Sequence, residues 1–169
     1  MDVIRAGTVH VPMIEDIYED ARRFMRSTGN MKQWVGGYPS REVICEDIER
    51  ERLFLCVEGG EILAVFCYFY GDDPTYAKIY NGSWKNDERY GVIHRIAVSD
   101  KARGRRVAPF CFEWCFARCK NLKIDTHRDN IPMQRSLANN MFEYCGIIYL
   151  ENGDERLAYQ RTTGAGSNG

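Results

Sequence analysis

Apolar and polar positions follow two rhythms along this chain, and the places where the rhythm changes mark its elements. Ile14, Ile17, Tyr18, Ala21, Phe24 and Met25 recur at helical spacing and make one apolar stripe. Pro12 stands where a helix can begin without losing a hydrogen bond, and Gly29 where one can stop, so the pattern predicts a helix over residues 12–27. A short strand over 2–6 precedes it. Residues 30–40 (NMKQWVGGYPS) carry glycines, a proline and two aromatics and read as a loop long enough for function. Ser40 offers an N-cap to a second helix over 41–52.

Further on, the pattern turns to strands. Apolar runs over 53–57 and 62–70 flank Glu58, Gly59, Gly60 and Glu61, a hairpin signature. Residues 76–84 read as an irregular strand, and 91–98 (GVIHRIAV) as a central one. A helix over 106–120, a strand over 122–126 and a helix over 132–141 follow. Strands over 146–150 and 155–161, joined at Asn152-Gly153, close the chain. The tail 162–169 (TTGAGSNG) has a disordered composition. There is no internal repeat, so residues 1–161 read as one domain with a flexible tail.

At 169 residues, such a domain buries roughly 70% of the surface of its unfolded chain and needs no disulfide or metal for a core. The 23 Lys and Arg nearly cancel the 24 Asp and Glu, leaving no global field to attract nucleic acid or an anionic membrane. No reading helix for nucleic acid is recognisable. The seven cysteines include no CxxC pair and read as reduced thiols of a cytoplasmic protein. Cys111, Cys115 and Cys119 repeat at i, i+4 and i+8 and span about 12 Å, too far for one ion, so they read as core. The N-terminus lacks the pattern of a signal peptide, and no window approaches a membrane span.

The candidate chemistry concentrates where the strand over 91–98 runs into a helix. Lys101, Arg103, Arg105 and Arg106 place four cations within six residues at the helix N-terminus. Free N–H groups and the helix dipole there favour an anion such as phosphate; the alternative is a solvated basic turn. Ile96-Ala97-Val98, four residues, then Arg103-Gly104-Arg105-Arg106-Val107-Ala108 resembles the acyl-CoA signature of the GNAT superfamily of N-acyltransferases. The element order resembles that superfamily over most of residues 2–161, and Asn130, Met133 and Phe142 match a second motif. Three positions depart from it. Arg106 replaces a cradle glycine, Met141 replaces the glycine before Phe142, and Leu137 replaces the tyrosine that protonates the leaving thiolate.

The resemblance implies an α/β fold in which a mostly antiparallel sheet holds one splayed parallel pair of central strands. It implies acetyl-CoA as co-substrate, no metal, and an N-acetyltransferase acting on a primary amine of a small molecule or peptide by direct attack. A non-catalytic acyl-CoA or small-molecule binding module is the alternative. Coenzyme A would lie along Ile96, Ala97 and Val98, over Arg103, Gly104, Arg105, Arg106, Val107 and Ala108, with Asn130 near the pantetheine arm. His94 reads either as a general base or as a structural histidine; regular strand alternation places it on the face of Ile96 and Val98. His127 reads as a cap for the next helix, and the thiolate is expected to leave with help from water or from a tyrosine such as Tyr144. Trp34, Tyr38, Tyr76 and Trp84 either wall an acceptor pocket or cover a satellite core. Exposed sheet edges make a homodimer plausible.

Overall fold

The computed structural model describes residues 1–164. The turn at Gly59-Gly60 has both glycines at positive φ, 58° and 82°, as a two-residue hairpin turn requires. It joins β2 (Leu53–Glu58) to β3 (Glu61–Tyr70). β1 (Asp2–Arg5) pairs antiparallel with β2, and β4 (Gly91–Val98) with β3. With β5 (Asn121–Thr126), β6 (Glu143–Tyr149) and β7 (Glu155–Thr162) they form a seven-stranded sheet of order β1-β2-β3-β4-β5-β7-β6. β4 and β5 run parallel, but their pairing is confined to Gly91↔Leu122 and Val92↔Lys123. Past Val92 they part, which is the splayed arrangement expected.

Two helical layers cover the sheet. On one face lie α1 (Val11–Ser27) and α2 (Arg41–Glu49). Ile14, Ile17 and Tyr18 of the α1 stripe pack there with Leu53, Leu55, Val65 and Ala97. Ser40 caps α2, its hydroxyl accepting from the Val43 N–H at 3.3 Å. On the opposite face, α3 (Val107–Arg118) and α4 (Ile131–Asn139) bury Val107, Cys111, Phe112, Cys115 and Leu137 with Phe66, Ile93 and Leu122. No helix among the described residues is long and apolar enough to cross a membrane.

Several boundaries differ from the pattern. α2 and α4 end earlier than expected, β6 begins at Glu143, and Thr162 belongs to β7; the expected tail otherwise lies outside the described residues from 165 on. The strand expected over 76–84 is absent: Pro74–Tyr76 is a 3-10 turn, and Tyr80 makes an isolated bridge with Ile147. Aromatic packing replaces a ladder there, because Tyr76, Trp84 and Tyr90 gather over Val92, Ile148 and Ala158 as a satellite core. The loop lies so close to β6 that a Cβ on Gly82 would meet the Cys145 carbonyl oxygen at 1.9 Å. That docking fixes the long segment carrying Asp73.

Candidate active site

In β4, regular alternation fails. His94 pairs with Cys67 and Ala97 with Val65, so three residues of β4 advance against two of β3, and Arg95 takes up the excess at φ 49°. The bulge keeps Ile93 and Ile96 on the α3/α4 face while His94 turns toward Phe69 and Tyr76 on the other. His94 therefore does not share a face with Ile96 and Val98, as unbroken alternation predicted. Arg95 is held on the α1/α2 face by Asp47: Nε donates to Oδ2 at 2.7 Å and Nη2 to Oδ1 at 2.8 Å. Arg52 donates to the same carboxylate at 2.8 Å, the Tyr38 hydroxyl accepts from Arg95 Nη1 at 3.1 Å, and the Tyr18 hydroxyl donates to the Arg95 carbonyl at 3.1 Å.

Where β4 and β5 part, a cavity of about 730 Å³ opens, bordered by His94, Ile96, Asp125 and Thr126. His94 Nε2 lies 2.6 Å from Asp73 Oδ2. The other oxygen of Asp73 accepts from the Thr75 N–H at 2.9 Å and hydroxyl at 2.6 Å. Burial pushes the Asp73 carboxyl up, but hydrogen bonds from His94 and Thr75 outweigh it and hold the pKa at about 2. An ionised carboxylate only accepts, so Nε2 is the donor, and in the neutral imidazole the lone pair falls on Nδ1. Nδ1 stands 3.9 Å from Asp125 Oδ2, which also accepts from the Tyr76 hydroxyl at 2.6 Å. Burial and then Asp125 push the Tyr76 phenol well above its ordinary range, so it remains a donor. Two acceptors thus flank one position, a geometry suited to an amine and its proton.

The basic turn borders a second hollow of about 350 Å³, between Phe24, Val98 and the start of α3. Gly104 has φ 79° and Arg106 φ 58°. Met141 likewise sits at φ 66°, so both side-chain departures at glycine positions retain a glycine-like backbone. Val107 and Ala108 open α3, and their N–H groups have no intrahelical carbonyl to bond. Arg105 pairs with Glu58 and does not line the hollow, contrary to expectation. Arg103 Nε donates to Asp100 at 2.9 Å while its guanidinium stacks 3.8 Å from the Phe24 ring. Its Nη2, 2.8 Å from the same carboxylate but misaligned, is buried without a hydrogen bond. Lys101 and Arg106 make no ion pair among the described residues.

Two buried side-chain polar atoms among the described residues lack a hydrogen-bond partner: Arg103 Nη2 in this hollow and Thr126 Oγ1 beside the cavity. Both belong to residues that line these two hollows, and hydrogen-bond donors there suit the polar groups of an acyl-CoA, so the residues present fit that co-substrate. Past Val92, the edge of β4 containing Ile96, Ala97 and Val98 has no strand partner on the β5 side among the described residues. Among the described residues, no group of three or more His, Cys, Asp or Glu is placed to hold a metal ion.

Trp34 and Tyr38 line the cavity, Trp34 meeting Tyr18 edge-on at 5.5 Å. Tyr76 and Trp84 do not: they lie in the satellite core, where the Trp84 indole donates to the Tyr76 carbonyl at 2.9 Å. Asn130 borders the cavity with its amide engaged, Oδ1 capping α4 through the Met133 N–H at 3.2 Å and Nδ2 donating to Gln33 at 3.0 Å. Leu137 is fully buried, and Tyr144 is exposed on β6 against Tyr159, away from the cavity. His127 accepts from the Asp129 N–H at 3.0 Å in the turn before α4. Sequence reasoning missed Asp73, Asp125, Thr126 and Arg156. Asp73 before Pro74 gives a local capping signal, but nothing local links it to His94 or marks Arg156.

Residues 12–141 match the family model described as Acetyltransferase (GNAT) family. The fold is similar to an acetyltransferase of the GNAT family from Streptococcus agalactiae, at 32% identity and TM-score 0.89, covering 96% of this chain and 95% of that one. It is also similar to GNAT-family acetyltransferases from Bacillus cereus (20% identity, TM-score 0.65, covering 95% and 96%) and Listeria monocytogenes (18%, 0.68, 95% and 93%). No curated protein matches.

Proposed function

The chain belongs to the GNAT family of acetyltransferases, whose general reaction moves acetyl from acetyl-CoA, and we propose that this member delivers it to a primary amine held between His94 and Asp125. The observation that carries this reading is the His94–Asp73 pair at 2.6 Å, which leaves Nδ1 free beside Asp125 at the splayed strands. An ammonium of ordinary pKa, about 10.4, must lose a proton before it attacks a thioester. Nδ1 takes that proton while Asp73 stabilises the resulting imidazolium. The amine nitrogen then bonds to the thioester carbon, the C–S bond breaks, and the second proton of the nitrogen ends on the departing thiolate to give the free thiol of coenzyme A, with no covalent enzyme intermediate.

The α3 N-terminus and Arg106 hold the pyrophosphate, because free N–H groups and a guanidinium with no counter-ion among the described residues border the same hollow. The unpaired edge of Ile96–Val98 takes the pantetheine amides, and a backbone N–H near Ala97 stabilises the oxyanion. Leu137 offers no proton to the thiolate. Thr126 lies on the α3/α4 face of β5 with Leu122 and Ile124, and its unengaged hydroxyl is the donor assigned to the departing sulfur.

Calorimetric titration of acetyl-CoA, followed by release of free thiol with a panel of primary amines, tests the proposal. Binding and amine-dependent release are expected. Binding without release above the uncatalysed rate would leave a non-catalytic acyl-CoA module, and absence of binding would remove the coenzyme assignment.

A further inference from the structure

We propose that the acceptor is a small amine that also carries a carboxylate, the simplest case being a free amino acid, and that Arg156 binds that carboxylate. This rests on the amine position assigned above. Arg156, on β7, is 7% exposed and borders the same cavity as His94 and Asp125. The other buried arginine, Arg161, pairs with Glu113 at 2.7 Å, and the half-buried Arg95 and Arg52 share Asp47, whereas the half-buried Arg26 is satisfied by three backbone carbonyls. Arg156 has no carboxylate partner within 4 Å among the described residues. Its hydrogen bond to protein runs from Nη1 to the neighbouring Glu155 carbonyl at 2.9 Å. A guanidinium has five donors in a fork that fits a carboxylate.

Burying a charge without a counter-ion is expensive, and a ligand that supplies one offsets the cost each time it binds. The register gives the spacing. Asp125 on β5 stands opposite Ala158, and Arg156 is two residues along β7 from Ala158 on the same face. Asp125 and Arg156 are therefore diagonal neighbours, about 7–8 Å apart at Cα, a gap that their side chains and one small amino acid can fill.

Charge of both signs lines the cavity. Asp73 and Asp125 lie beside His94, and Lys32 and Arg156 also border it. Burial, then Arg156, with Lys32 adding, push His127 below its ordinary pKa against the opposing pull of Asp129, so the positive charges dominate at His127. The rim carboxylates Glu151 and Asp154 are exposed and lie beyond 4 Å from Arg156. A neutral monoamine would leave the guanidinium unpaired, and a protein lysine would present a backbone amide where the cavity offers a fork for an anion.

Thiol release measured with free amino acids and with their carboxamides tests this directly. At least one amino acid should exceed its own amide at least 10-fold in kcat/KM, and Arg156→Lys and Arg156→Met should each cut that acid-to-amide ratio at least 10-fold. A parallel titration of N-acetyl amino acids against N-acetyl amino amides reads the same preference without turnover, in the wild type alone if the variants do not fold. Amides or plain monoamines used as well as acids would overturn the proposal while leaving acetyl transfer intact. Equal binding of both acetylated products would overturn it as well. Loss of acetyl-CoA binding would instead strike the functional reading beneath it.

Discussion

The guanidinium of Arg95 on β4 and the carboxylate of Asp47 on α2 share two hydrogen bonds, 2.7 and 2.8 Å long, with Asp47 only 1% exposed. The pair secures the residue that carries the β4 bulge, and the bulge turns His94 toward Asp73. A helix on one side of the sheet thus helps to aim the proposed base, His94, in the middle of it. Asp47→Ala strands a buried guanidinium and should lower stability by about 3–5 kcal/mol in urea denaturation. A change below about 1 kcal/mol would show that Tyr18 and packing hold the bulge without it.

Asp73 should influence both stability and rate. Its carboxyl is held at about 2, below the ordinary 3.8, so its contribution is present above pH 4 and is lost as pH falls through 2. Asp73→Asn is expected to cost about 2 kcal/mol at pH 7, with the gap to wild type narrowing between pH 4 and pH 2. The same variant should lower kcat at least 10-fold by removing the acceptor that selects the His94 tautomer. Unchanged kcat would detach Asp73 from the mechanism.

Arg106 tests whether a side chain at a glycine position helps or crowds. It adopts φ 58°, a conformation unfavourable by roughly 1–2 kcal/mol for a residue with a Cβ. Arg106→Gly should stabilise the protein by about 0.5–1 kcal/mol while weakening coenzyme A binding by about 1–2 kcal/mol. Greater stability combined with tighter coenzyme binding would mean that the guanidinium obstructs the phosphate.

Most of the fold was legible because its elements announce themselves locally. The α1 stripe, the Gly59-Gly60 turn and the basic turn before α3 are each specified within a short window. The bulge was not legible, since Arg95 is an ordinary strand residue until Asp47, 48 positions away, supplies its partner. The same limit hid the Asp73–His94–Asp125 line, assembled from a loop and two strands. Tyr76 and Trp84 look like pocket aromatics in sequence, and only their packing against Val92 and Ala158 shows otherwise. Arg105 and Arg106 are likewise indistinguishable until Glu58 claims one of them.

Thr126 provides a test with opposite signs. Its hydroxyl is buried without a partner, so the isosteric Thr126→Val should raise stability by about 1 kcal/mol in the ligand-free protein. If the hydroxyl serves the departing thiolate, kcat should fall about 10-fold with the amine KM little changed, a loss of transition-state stabilisation alone. A more stable variant with wild-type kcat would leave the leaving group to solvent.

The pH profile of kcat for His94→Ala against wild type, at saturating acetyl-CoA, tests the central claim most directly. The variant should lose about 10²-fold at pH 7 with its acetyl-CoA affinity retained, and the loss should shrink as pH rises and the amine sheds its proton in solution. Near wild-type kcat at pH 7, or a deficit of the same size at every pH, would contradict proton removal by His94.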